Sequence, residues 1–191
     1  MLSCPDGGKI IEHGISHVGV REVVRLHNKF RMEVAHGSVK NQPRGINLKR
    51  MKYDHQLDDL VKTSLENCKL QSKKIHDERF RHVGQNLFME MTTDLDSAFE
   101  QNWEKVITSW FNDNENYQYP NLDPETMAGG HYSQIVWAES EALACHFIAF
   151  ENLSNTRYPY GKIYTCYYGP GGNIIGKAPY KSGRRGCENL C

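Results

Sequence analysis

The 191-residue chain balances 23 Lys and Arg against 23 Asp and Glu, so no net charge attracts it to nucleic acid or to an anionic membrane. Hydrophobic residues make up 39% of the chain, which supports a folded core of one domain and argues against disorder. No apolar run approaches the roughly 20 residues of a membrane helix. We therefore predict no nucleic-acid partner and no integral membrane segment.

The first two thirds of the chain have mainly helical periodicity. Residues 1–19 hold four glycines without a sustained period, which predicts an irregular amino-terminal arm. From Val20, apolar residues three and four apart predict a first helix that ends near Gly37. A second apolar stripe runs from Leu57 to Cys68. A third helix is predicted from Asp94, its N-cap, through residue 110.

The last third is rich in aromatic and branched residues that are separated by turn-forming segments. Residues 131–137, 142–150 and 162–168 are predicted to be strands. Helices followed by antiparallel strands favour an α+β fold over alternating α/β units. A long loop from Tyr117 to Gly130 joins the two parts, and loops of this length often carry function.

Six cysteines fit either reduced thiols in the cytosol or three disulfides in a secreted protein, and their even number favours secretion. The sequence alone leaves every pairing open. Residues 1–9 lack the apolar core of a signal peptide, so secretion implies a signal that has been removed. Asn152-Leu153-Ser154 is an N-glycosylation sequon, which matters only in the secretory pathway.

Two pairs of polar residues are candidates for local networks. His27 and Arg31 lie four residues apart on the first helix, so they are predicted to share a face as a structural hydrogen-bonded pair. Ser133 follows His131 by two residues, which places both on one face of the predicted strand. No third group orients this second pair, so a hydrolytic triad is not predicted.

Four motifs resemble those of the CAP superfamily, the group of cysteine-rich secretory, antigen 5 and pathogenesis-related-1 proteins. In chain order they are His27-Asn28-Lys29-Phe30-Arg31, Gly84-Gln85-Asn86-Leu87, Gly130-His131-Tyr132-Ser133-Gln134-Ile135-Val136-Trp137 and Ile163-Tyr164-Thr165-Cys166-Tyr167-Tyr168-Gly169-Pro170-Gly171-Gly172-Asn173. The residues of these motifs are most similar to those of venom allergen-like members from arthropods and parasitic worms. The resemblance covers residues 20–176 as the CAP domain, with 177–191 as a Cys-containing carboxy-terminal tail, and implies a three-layer α-β-α sandwich with a central antiparallel sheet.

The resemblance also implies a polar cavity and a set of disulfides. The positions that match the family's two histidines and two acidic residues are His76, Gln85, Asp113 and His131. Gln85 replaces a carboxylate with an amide, which cannot act as a general base near neutral pH, so no catalytic residue is predicted. The two histidines suit Zn or another divalent cation, with Asp113 and Gln85 nearby, although none is required. The implied disulfides are Cys145–Cys166, Cys4–Cys68 and Cys187–Cys191.

Family members that bind sterols or fatty acids make lipid binding the favoured function. The resemblance suggests a sterol loop with Tyr117, Tyr119 and Leu122, and a fatty-acid slot between the first and third helices. The apolar residues of that slot are Val24, Phe30, Val34, Phe99, Trp103 and Val106, and their alternative role is ordinary core packing.

We therefore expect a secreted, extracellular protein that binds a sterol or fatty acid. We also expect it to interact with a host, either by modulating immunity or by binding a host protein. Two alternatives stay open. One is a metal-dependent hydrolase that uses the His76/His131 cavity, and the other is a surface-recognition protein without a ligand pocket.

Overall fold

The structure is a computed structural model that describes residues 3–187 and 190–191. The elements in chain order are β1 (Ile10–His13), α1 (His17–His36), β2 (Lys52–Tyr53), α2 (His55–Leu65), β3 (Gly84–Thr92), α3 (Leu95–Phe99), α4 (Trp103–Asn112), a 3-10 turn (Asp113–Asn116), α5 (Gly130–Ile135), β4 (Ala142–Glu151) and β5 (Tyr160–Gly169). In this part of the chain, no helix combines the length and the apolar character needed to cross a membrane.

The strands form one sheet in the order β1-β4-β5-β3, and every pairing along this path is antiparallel. β2 adds a short parallel pairing with β4. β1 pairs with β4 at residues 148–150 and β2 pairs with it at residues 142–143, whereas β5 pairs along the whole of β4. β1 and β2 therefore share one edge of β4 and leave a gap between them.

Alternation of side chains along β4 gives the sheet two buried faces. Cys145 and Phe147 belong to the main core with α1, α4 and α5. Ala144 and Ile148 lie on the opposite face, in two smaller clusters to which α2 contributes apolar residues. The sheet therefore lies between two helical layers, which confirms the predicted three-layer α+β sandwich.

The first helix ends where the sequence predicts but begins earlier. Gly37 follows α1 with φ of 71°, a left-handed conformation that glycine adopts without strain and that ends the helix. At the other end, Ser16 accepts a hydrogen bond from the Gly19 amide and caps a helix that begins at His17. The arm was expected to be irregular, but it contributes strand β1.

The predicted third helix is two helices. Asp94 caps α3 as expected, but Glu100 is extended, with ψ of 128°, and Asn102 caps the new helix α4. The Lys162 ammonium on β5 donates to the carbonyls of Ser97 and Glu100, so a residue distant in sequence stabilises the break.

The strand predicted at 131–137 is wrong, because residues 130–135 form helix α5. Gly129 precedes it with φ of 78°, and Tyr132 and Ile135 point into the core three residues apart. The aromatic and branched composition that favoured a strand is therefore that of a buried helix. The sequence interpretation also missed β3, whose central residues are mostly half-buried.

The three disulfides have the pairing that the resemblance implied. Cys4–Cys68 ties the arm to the segment after α2, with a Cα–Cα distance of 5.5 Å. Cys145–Cys166 joins directly opposed residues of β4 and β5 at 4.1 Å. The third bond joins Cys187 to Cys191 in the tail, at 5.1 Å.

Candidate functional site

Two buried polar residues of α1 hold the scaffold around the predicted cavity, but they do not bond to each other. His27 contacts the Val23 carbonyl through Nδ1 at 2.7 Å and the Tyr168 hydroxyl through Nε2 at 2.8 Å. Burial lowers the His27 pKa to about 4, so the ring is neutral at pH 7. The predicted His27–Arg31 pair is thus replaced by two separate anchors.

Arg31 is fully buried and binds backbone carbonyls from two distant segments. Its guanidinium donates to the carbonyl of Lys49 and to those of Ile135, Trp137, Ala138 and Ser140. Burial lowers its pKa to about 9, which still leaves it protonated at neutral pH. These bonds fix the end of α5 and the turn that follows, and thereby the position of His131.

The structure brings together two of the four cavity residues that the family pattern suggests. His131 Nδ1 lies 3.4 Å from Asp113 Oδ2, and the same carboxylate oxygen accepts from the His131 amide at 3.3 Å. The imidazole stacks on Trp110 with 6.4 Å between ring centres. The pair opens into a cavity of about 310 Å³ that Leu87 and Phe88 also line.

The other two residues of the predicted cavity do not complete a site. The Gln85 amide exchanges hydrogen bonds with the backbone of Lys73, which occupies both of its polar ends. His76 is exposed on the irregular segment before β3 and does not line the cavity at His131. Of the four predicted residues, the His131 imidazole and the Asp113 carboxylate are therefore the two that line this cavity.

This donor set does not fit a structural or catalytic zinc site, which takes at least three protein ligands. Within the described residues, only His36, Cys187 and Cys191 place three such ligand atoms within 4.8 Å of one another. Both cysteines are joined in a disulfide, so they lack the thiolates that bind zinc.

Ser133 has no role as a nucleophile in this arrangement. Because α5 is a helix, Ser133 is buried while His131 is exposed, which contradicts their predicted placement on one face. The Ser133 hydroxyl donates to Asn173 Oδ1 at 2.6 Å and lies 3.2 Å from the Gly130 carbonyl oxygen. It braces α5 against the segment after β5.

The loop predicted to bind sterol is anchored in the core. Tyr117 and Leu122 are each 4% exposed, and the Tyr117 ring lies 5.6 Å from that of Tyr132. Tyr119 is half-buried, stacks on Tyr180 at 5.1 Å and donates to the Tyr180 carbonyl at 2.8 Å. Tyr119 also lines two cavities, of about 590 Å³ and 640 Å³.

The helix pair predicted to hold a fatty acid is filled with its own side chains. Phe30 stacks on Phe111 at 4.1 Å. The buried residues here are Phe30, Val34, Trp103 and Val106, and Val24 packs against them. Phe99 does not belong to this pair, because it lies on α3 and is 46% exposed.

Asn152 follows β4 in a turn, where its side-chain oxygen accepts from the Ser154 hydroxyl at 2.8 Å. This bond joins the two polar residues of the sequon. Glycosylation at Asn152 stays a prediction.

Sequence interpretation missed His146, which lies on β4 and is 4% exposed. The available signal was a single ionisable residue within an apolar strand. It lies on the α2 face, away from His131, and lines a separate cavity.

A sequence model of the cysteine-rich secretory protein family, CAP, matches residues 24–168. The chain belongs to the CAP family. Scoloptoxin SSD552 of Scolopendra dehaani is 28% identical to it over 175 residues, which cover 87% of this chain and 77% of that protein. Venom allergen 5 of Rhynchium brunneum is 30% identical over 172 residues, which cover 84% and 72%.

A solved CAP-type structure, that of NaASP2 with Zn²⁺, superimposes with a TM-score of 0.70 at 27% identity. The match covers 95% of this chain and 92% of the other. These comparisons confirm the resemblance that the four motifs carry and the fold it implies.

Proposed function

We propose that this protein is a secreted CAP domain that binds a small hydrophobic lipid, a sterol or a fatty acid, and acts in an interaction with a host. Three disulfides and membership of a secretory family support an extracellular location. Similarity to a scoloptoxin and to venom allergen 5 supports a role outside the producing organism.

Binding is favoured over catalysis by the state of the polar cavity. Gln85 is an amide whose oxygen and nitrogen are both used by the Lys73 backbone, so it neither takes a proton nor holds a metal. His131 and Asp113 alone lack the third group that a hydrolytic site requires.

The observation that carries the lipid proposal is the position of Tyr119. Its ring lines two cavities of about 590 Å³ and 640 Å³, and each lies within the range of small-molecule sites. Pro120 and Leu122 add apolar surface to the smaller one. The Tyr119 hydroxyl is bonded to the Tyr180 carbonyl, which holds the ring in place, so the ring contributes apolar surface for the hydrocarbon part of a lipid.

Equilibrium binding of labelled cholesterol and labelled palmitate tests this proposal, with unlabelled competitor and metal-free buffer. We expect saturable binding of at least one lipid that Tyr119→Ala weakens about tenfold, the effect of losing one aromatic anchor. Tyr158→Ala is the matched control, because Tyr158 is also half-buried but lies in the β4–β5 connection. Circular dichroism checks that both variants keep the fold.

The possible outcomes separate the predicted sites. Palmitate binding that persists in Tyr119→Ala would place the fatty acid outside the Tyr119 loop, and its loss in Phe30→Ala would then assign it to the helix pair, where it must part the Phe30–Phe111 stack. Failure of the wild type to bind either lipid would contradict the proposal and favour surface recognition.

A further inference from the structure

A separate cavity of about 540 Å³ lies at the edge of β4, in the gap between β1 and β2. The Gly14 amide, in the loop after β1, donates to the Phe147 carbonyl at this edge, and the Tyr53 hydroxyl of β2 lies 3.2 Å from the Cys145 carbonyl oxygen. Helix α2 forms the outer wall. The apolar lining residues are Ile10, Ile15, Val20, Leu65 and Ile148. No residue of this lining belongs to the Tyr119 loop or to the His131 cavity.

His146 is the buried polar residue of this cavity. It is 4% exposed, and its Nδ1 is shielded from solvent without a hydrogen-bond partner among the described residues. Buried polar side chains nearly always have a partner, so such an atom calls for an explanation. The cavity next to the ring provides space for a partner that is not part of this chain.

The charged groups around His146 are already compensated or lie at the rim. Asp58 pairs with Lys62 at 2.9 Å and accepts from the Tyr53 hydroxyl at 2.8 Å. The remaining ionisable residues of the lining are His13, His17, His55 and Glu66, all of them exposed. A buried carboxylate or ammonium would therefore find no free counter-charge beside His146.

A hydroxyl group meets these conditions. Burial lowers the His146 pKa to about 4, so its imidazole is neutral at pH 7. A neutral imidazole has one donor and one acceptor nitrogen, and a hydroxyl can serve either. The apolar residues of the wall offer a surface for a hydrocarbon chain.

We propose that this cavity binds an uncharged amphipathic small molecule, with its hydrocarbon part against the apolar wall and its hydroxyl hydrogen-bonded to His146. The site is distinct from the lipid site proposed at Tyr119. An alcohol with a single alkyl chain represents the ligand class.

Calorimetric titration of the full chain with 1-nonanol, nonanoate and nonylamine at about pH 7 tests the proposal, because these probes share one alkyl chain and differ in the head group. We expect nonanol to bind at least about tenfold more tightly than either charged probe. His146→Leu should weaken nonanol binding about tenfold, the effect of one hydrogen bond. His76→Leu, at an exposed histidine outside the cavity, should leave it unchanged.

Two further variants keep the proposal falsifiable. Val20→Phe, at a half-buried lining position on α1, should fill the cavity and abolish nonanol binding while the fold persists. Tyr119→Ala should leave nonanol binding unchanged, whatever it does to cholesterol or palmitate. Equal affinity for nonanoate, absence of nonanol binding, or binding lost in Tyr119→Ala but kept in His146→Leu would each overturn the assignment.

Discussion

Two buried histidines lie on opposite faces of the sheet, and burial lowers the pKa of each to about 4. Both nitrogens of His27 have partners within 2.8 Å, whereas His146 Nδ1 has none among the described residues. Burial and a shifted pKa are therefore common to a structural histidine and to a candidate binding histidine. The hydrogen bonds distinguish them, because a ring whose nitrogens are both occupied has nothing left to offer a ligand.

The two faces of the sheet also differ in how their polar groups are bonded and how their apolar side chains pack. On the side of α1, Arg31 and His27 use their polar atoms to bind backbone and tyrosine, and the large apolar side chains are close-packed. On the side of α2, the apolar residues form two smaller clusters, and a cavity lies beside His146. On the α1 side the cavities lie in the Tyr119 loop and beside the exposed His131, whereas on the α2 side a cavity reaches a buried histidine without a partner among the described residues.

Arg31→Met should have the largest effect on this comparison, because it removes every hydrogen bond from the guanidinium to the Lys49 carbonyl and to the carbonyls of residues 135–140. The change leaves several buried carbonyls without donors, and each unsatisfied group costs roughly 1–3 kcal/mol. We expect a loss of about 4 kcal/mol or more in the free energy of unfolding, measured by urea denaturation.

Arg44→Met provides the matched control for that prediction. Arg44 also donates to two carbonyls, those of His36 and Arg184, but it is exposed. Water replaces its bonds, so the expected loss is below about 1 kcal/mol. Similar losses in the two variants would mean that the buried hydrogen bonds of Arg31 stabilise the protein no more than the exposed ones of Arg44.

The sequence predicts those elements whose pattern is local. The end of α1 at Gly37 and strands β4 and β5 follow from turn chemistry and apolar runs. The break between α3 and α4 is stabilised by Lys162, which is about sixty residues away and donates to the carbonyls of Ser97 and Glu100, so the local apolar pattern does not reveal it. Helix α5 was mistaken for a strand because a short buried helix has the composition of a buried strand.

The candidate sites, like the secondary structure, could be predicted from the sequence only in part. The CAP resemblance predicted the disulfide pairings and the positions His131 and Asp113, whose side chains lie 3.4 Å apart. It did not reveal that Gln85 binds the Lys73 backbone, nor that Arg31 reaches carbonyls more than a hundred positions away. The sequence shows His146 as a polar residue in an apolar strand. Its cavity, however, depends on the gap that β1 and β2 leave between them along the edge of β4, which the sequence does not show.

Replacing each buried histidine with leucine tests their difference directly. His27→Leu deprives the Tyr168 hydroxyl and the Val23 carbonyl of a partner, so we expect a loss of about 2 kcal/mol in stability. His146→Leu removes a polar group that has an unpartnered nitrogen, so we expect no loss and a gain of up to about 1 kcal/mol. Urea denaturation of both variants at about pH 7 measures these effects, and equal losses would show that His146 has a structural partner in solution.

The smallest expected effect is on the pH dependence of stability. The folded-state pKa of each histidine, about 4, lies below the ordinary value of 6.5, so the unfolded chain binds more protons between these values. Their contribution is therefore fully present above pH 6.5 and is lost as the pH falls towards 4. Each histidine contributes a slope of at most about 1.4 kcal/mol per pH unit.

Unfolding free energies measured between about pH 6.5 and pH 5 isolate this histidine slope, because the carboxylates whose pKa is lowered, such as Asp54, lose their contribution only below their ordinary value of 3.8. His146→Leu should remove about half of the slope that the two rings supply, and His76→Leu should leave it unchanged. A slope that His146→Leu does not alter would mean that the ring of His146 is charged or open to water in the folded protein. The unpaired imidazole would then no longer distinguish the α2 face from the α1 face.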